Sequence, residues 1–99
     1  MILIMRHTVR DYDAWKPVFD AGEPLRAKHG ALGHVLYRDE DDANALMIQL
    51  RFPSREAADA FIADPELATS MERAGVETKP DLTRVREAEA VEYAIGRAA

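Results

Sequence analysis

No cysteine occurs among the 99 residues, which removes disulfides, thiolate nucleophiles and Cys-ligated zinc or iron–sulfur sites together. Basic residues are the minority: 13 Lys plus Arg against 18 Asp plus Glu give a formal charge of -5, which repels phosphate backbones and sets nucleic acid aside as a partner. Long apolar runs are missing too. The opening Met1-Ile2-Leu3-Ile4-Met5 stops at Arg6 and carries no basic leader, so neither a secretory segment nor a membrane partner is expected, and a cytoplasmic location is the default. Glycine is scarce, and its five copies fall at turns or helix ends. There is no G-x-S-x-G, no phosphate-cradling loop and no dinucleotide fingerprint; hydrolase and nucleotide-dependent classes lose weight, and no cofactor is expected.

What is present reads as one small domain over residues 1–93 with a tail over 94–99. Ile2 to Val9 is a strand, apolar on both faces at its start, with Ile2 and Ile4 opposite Leu3 and Met5. After Asp11, a cap, the residues Trp15, Val18, Phe19, Gly22, Leu25 and His29 recur at helical spacing up to Gly30. Pro17 and Pro24 each delete a backbone donor, which predicts a restart near Pro17 and a break around Gly22 to Pro24. Leu32–Tyr37 and Ala45–Phe52 form a hairpin across the polar turn Arg38–Asn44. Ser54 then caps a helix burying Ala57, Ala58, Phe61 and Ile62, and Asp64-Pro65 opens a second piece carrying Leu67 and Met71, closed by Gly75. Asp81 to about Tyr93 is the last strand, with room for a bulge.

This order is α+β, a ferredoxin-like βαββαβ arrangement with helices on one face of an antiparallel sheet. Helices cover only one face. Leu46, Ile48, Leu50 and Phe52 meet them, whereas Leu3 and Met5 or their alternates, with Val35 and Tyr37, leave apolar surface on the other, beside Gln49 and Arg51. A second copy packed face to face covers that surface most simply, which predicts a homodimer closing into an eight-stranded barrel. A standard interface of about 1,600 Å² supplies roughly 20 kcal/mol gross, enough to outweigh association costs of about 4–15 kcal/mol.

Three stretches carry a family resemblance: Asp11-Tyr12-Asp13-Ala14-Trp15-Lys16, the Gly33–Arg38 strand with its acidic turn and Asn44, and Asp64-Pro65-Glu66-Leu67 continuing through Met71-Glu72-Arg73-Ala74-Gly75-Val76. With them the chain resembles the dimeric α/β-barrel superfamily, which includes antibiotic-biosynthesis-monooxygenase-like and small polyketide-cyclase-like proteins. The resemblance implies the dimeric barrel, and in its monooxygenase-like members a cofactor-free oxidation of an aromatic compound in a pocket between sheet and helices. It transfers no residue role to a position of this chain.

The candidate chemistry therefore rests on residue types. His7, His29 and His34 are the only histidines and show no ligand spacing, so no metal site is expected. His29 reads as a helix-terminal imidazole beside the C-terminal dipole. His34, on the side of Leu32 and Leu36, is either a core histidine bonded to backbone or the general base of a pocket. Trp15 is either core or the aromatic wall of a ligand site, and His7 either a partly exposed strand end or a ligand contact. Asp39-Glu40-Asp41-Asp42 fails as a calcium loop because Asn44 stands where the central glycine belongs, and it reads as a solvated turn. The chain is thus expected to bind a small hydrophobic or aromatic compound as a homodimer, with His34 as catalytic candidate and Trp15, His34 and His7 as ligand contacts. The alternative is a non-catalytic dimeric accessory or protein-binding module, which a side-chain-filled interior without a cavity beside His34 would favour.

Overall fold

The computed structural model describes residues 1–94. Its elements are β1 (Ile2–Thr8), α1 (Tyr12–Ala21), α2 (Glu23–Lys28), β2 (Gly33–Arg38), β3 (Ala45–Arg51), α3 (Arg55–Ala63), α4 (Pro65–Arg73) and β4 (Asp81–Val85). The strands form one antiparallel sheet in the order β2-β3-β1-β4, with the helices on one face: the ferredoxin-like α+β fold. The tail expected over 94–99 lies, from residue 95 on, outside the described residues.

Three helix starts are fixed by short polar side chains that satisfy otherwise unpaired backbone donors. Asp11 accepts from the Asp13 N–H, Ser54 from Ala57, and Asp64 from Glu66, with Pro65 at the first helical position. The restart predicted at Pro17 does not occur: α1 runs through it. The carbonyl that Pro17 leaves without a donor belongs to Asp13, an exposed first-turn residue whose backbone water can satisfy. The break comes at Gly22, from which α2 restarts with Pro24 in its first turn.

Which face of β1 meets the helices is decided by register. Leu3 lies opposite Leu50, Met5 opposite Ile48 and His7 opposite Leu46, and this side is buried beneath α1 to α4 together with Phe52, Ala58 and Phe61. The alternates Ile2 and Ile4, not Leu3 and Met5, occupy the open face beside Val35, Tyr37, Met47, Gln49 and Arg51. The last strand is shorter than expected. It stops at Val85, which pairs with Ile2, because β1 offers no further partner; residues 86–94 are exposed.

One residue joins the two halves of the helical layer. Asp64 ends α3, caps α4, and accepts from His29 Nε2 at 2.8 Å and Lys28 Nζ at 3.2 Å at the end of α2. The His29 contact first, then the Glu66 N–H and Lys28, hold its carboxyl down to about 2 from the usual 3.8. A depressed carboxylate stabilises the fold above its unfolded value and loses that contribution as pH falls through its folded value. Between pH 3.8 and about 2 the thermal midpoint of the wild type should therefore fall more steeply than that of Asp64→Asn, which keeps a capping oxygen without the charge. Parallel curves in a pH series of melts would show that the Asp64 charge does not tie these helices.

Candidate functional site

His7 enters the helical side of the sheet because it shares strand parity with Leu3 and Met5. It is not the partly exposed strand end expected of it: only 7% of its surface is accessible, and neither Nδ1 nor Nε2 has a hydrogen-bond partner among the described residues. Burial pushes its imidazole below the ordinary 6.5, so the ring is neutral at pH 7. A buried imidazole without a partner costs about 1–3 kcal/mol, which the surrounding fold must supply.

Trp15 comes from the first full turn of α1 and lies edge-on to His7, with centroids 6.0 Å apart. It stacks on Phe19 at 4.7 Å and 22°, and Phe19 in turn meets His34 edge-on at 5.0 Å. A ladder of rings thus runs from His7 to His34. Helical spacing of four places Trp15 and Phe19 on one face, and the next positions of that face are Gly22 and Arg26. Arg26 is 8% exposed, its guanidinium lies 4.0 Å over the Phe19 ring, and it makes no ion pair or side-chain hydrogen bond among the described residues. Burial draws its pKa below the ordinary value against the charges of Glu23 and Asp20; a guanidinium stays protonated all the same.

His7 borders a hollow of about 540 Å³ with Arg6, Thr8, Tyr37, Met47 and Asp81, and these groups together border two more. The inner one, about 60 Å³ between sheet and helices, is bounded by Met5, His7, Trp15, Phe19 and Arg26, by Ile48 and Leu50 of β3, and by Phe61 and α4 beyond. The outer one, about 290 Å³ at the β2 edge, is bounded by His34, Gly33, Leu32, Asp20, Glu23 and again Arg26 and Leu50. His34 is exposed, so it is not the backbone-bonded core histidine considered above. Burial first, then the charges of Arg26 and Lys16, lower its pKa. The structure therefore brings His7 and Trp15 together at one hollow and leaves His34 at the other, with Phe19 between. Phe19 as a site residue and Arg26 altogether escaped the sequence reading, although the spacing Trp15, Phe19, Gly22, Arg26 carries the signal: a cation on an apolar stripe.

Chemically, the inner hollow combines aromatic walls, a neutral imidazole and a partly desolvated guanidinium. No group of three or more acidic or histidine side chains able to hold a metal occurs among the described residues. No helix there is long and apolar enough to cross a membrane.

No protein-family model matches the sequence, and no curated protein matches it. Solved structures do match it in fold. SnoaB, a cofactor-independent oxygenase from Streptomyces nogalater, superposes with a TM-score of 0.68 at 20% identity, covering 87% of this chain and 92% of its own. Rv0793 from Mycobacterium tuberculosis does so at 0.64 and 24% identity, over 89% of this chain and 97% of its own. An antibiotic biosynthesis monooxygenase gives 0.59 at 16% identity, over 90% and 100%. At these identities the likeness is one of fold, and it agrees with the architecture expected from the sequence.

Proposed function

We propose that the protein is a small-molecule-binding homodimer that oxidises a hydrophobic aromatic compound with dioxygen and without a cofactor, at the hollow bordered by His7 and Trp15. The observation that carries this reading is the unpartnered, neutral imidazole of His7, held in an apolar site beside a stacked aromatic pair. The shared fold with a cofactor-independent oxygenase supports it.

In such an oxidation the electrons come from the substrate. His7 would take a proton from a ring-activated methylene, the carbanion would give its electrons to dioxygen, and a C–O bond would form. Loss of water from the hydroperoxide then leaves a carbonyl, with one oxygen atom in the product and the other in water. Trp15 and Phe19 would hold the ring system, and burial of His7 keeps it in the basic form at neutral pH.

The homodimer is part of the same proposal. A four-stranded sheet, at about 4.8 Å per strand and about 3.3 Å per residue, presents roughly 400 Å² in projection. Side-chain relief brings this toward the roughly 800 Å² per partner of a stable interface. Val35 at 46% and Tyr37 at 45% exposure lie on that open face with Ile2, Ile4 and Met47.

A second reading draws on the size of the inner hollow. About 60 Å³ is far below the roughly 300–1,000 Å³ of ordinary ligand pockets, which favours a non-catalytic dimeric module unless a wall gives way. The wall best able to yield is α4, which has no fully buried residue and presents the flexible Met71. Dioxygen uptake by the chelator-treated full chain, over a panel of bicyclic and tricyclic aromatic phenols and ketones, separates the two. Substrate-dependent uptake with one product equivalent per dioxygen is expected for the oxygenase; absence of uptake across the panel would leave the accessory module.

A further inference from the structure

Buried arginines normally meet a carboxylate or a set of carbonyls, because a cation held away from water without a partner is destabilising. Arg26 makes neither contact among the described residues, although the charges of Glu23 and Asp20 act on it, and its guanidinium nitrogens are not among the fully buried ones, so they keep an open side. Asp20, a carboxylate at the same groove, is engaged by Lys16 Nζ at 2.7 Å. Room for the guanidinium is kept by Gly22, where a Cβ would stand 3.2 Å from Arg26 Nη1. Arg26 and Leu50 are the residues common to the inner and outer hollows, so the Arg26 side chain stands between the two.

From this placement we infer that Arg26 is the specificity-determining contact for an anionic group on the ligand, and that the substrate class is a singly charged aromatic acid, a carboxylate or phenolate. The inference rests on the proposed aromatic-binding site and adds the charge to it. The ligand's rings take the Trp15 and Phe19 side, and its ionised oxygen supplies the partner that Arg26 lacks. A planar guanidinium over a ring is well suited to this, since stacking fixes its plane and leaves its edge donors for a bidentate oxygen pair. Asp20 and Glu23 at the outer groove set the limit of one charge, because a second anionic group would face them.

The probes are 2-naphthoate and its uncharged isostere 2-naphthamide, titrated calorimetrically into the full-length wild type, Arg26→Met and Arg26→Lys. The wild type should prefer the carboxylate about tenfold or more, the range of a hydrogen bond to a charged group. In Arg26→Met the preference should fall to about unity with naphthamide binding kept, and Arg26→Lys should restore part of it. Arg26→Met should also melt no lower than the wild type, since it replaces a largely buried side chain that makes no ion pair or hydrogen bond among the described residues by an apolar one of similar volume. A midpoint that drops while the carboxylate preference persists would make Arg26 a packing residue and overturn the inference. Equal binding of both probes to the wild type overturns the anionic class and leaves the aromatic site standing. Binding of neither overturns both.

Discussion

The variant His7→Phe is expected to gain stability and to lose the proposed oxidation at once. Removing an imidazole whose two nitrogens are buried without partners relieves about 1 kcal/mol or more, and the larger ring can extend into the adjacent hollow of about 60 Å³. If His7 is the base, turnover should fall about 10²- to 10⁴-fold, the usual contribution of a positioned proton acceptor. The pH profile adds a second readout. Burial lowers the His7 pKa below 6.5, so the neutral form, and with it the wild-type rate, should persist into acid and decline only below that value. Thermal melts and dioxygen uptake on the same preparations check this. A variant that is less stable and fully active would make His7 a core residue and nothing more.

If two copies pair on the open sheet face as proposed, Ile4→Lys should convert that dimer to a monomer without unfolding either copy. Ile4 sits on the central strand between Gln49 and Thr83, with its side chain away from the helices, so the core is not touched. Across a two-fold axis one substitution places two lysines in the contact, and each buried ion costs several kcal/mol. The change in association is thus expected to exceed about 10³-fold. Light scattering should give twice 11.1 kDa for the wild type and a single 11.1 kDa chain for the variant, with unchanged circular dichroism. A variant that remains dimeric would mean that the copies meet on another surface.

How far the molecule could be read from its letters differs from element to element. Asp11, Ser54 and Asp64 announced three helix starts because a cap is a local interaction between a side chain and a backbone donor two or three residues on. The parity of β1 was not local. Ile2 and Ile4 are as apolar as Leu3 and Met5, and only pairing with the Leu46, Ile48, Leu50 side of β3 decides which set is buried. His7 was misjudged for that reason, since its burial follows from the same register. The length of β4 likewise depends on where β1 begins, not on residues 86–93 themselves. Arg26 was missed for a different reason: a charged residue on a helix is ordinarily solvated, and only its fourth-residue spacing from Gly22 sets it apart.

The position of β1 in the sheet bears on how the molecule is made. It is the first strand to be synthesised, yet it lies between β3 and β4, with Ile2 paired to both Arg51 and Val85. A nascent chain can form the β2–β3 hairpin early, but β1 has no complete pair of neighbours until β4 has followed it out of the ribosome. Until β4 emerges the segment Ile2-Leu3-Ile4-Met5 is therefore an apolar ribbon with an unmatched edge, the kind of surface that chaperones bind and that neighbouring nascent chains can mispair with.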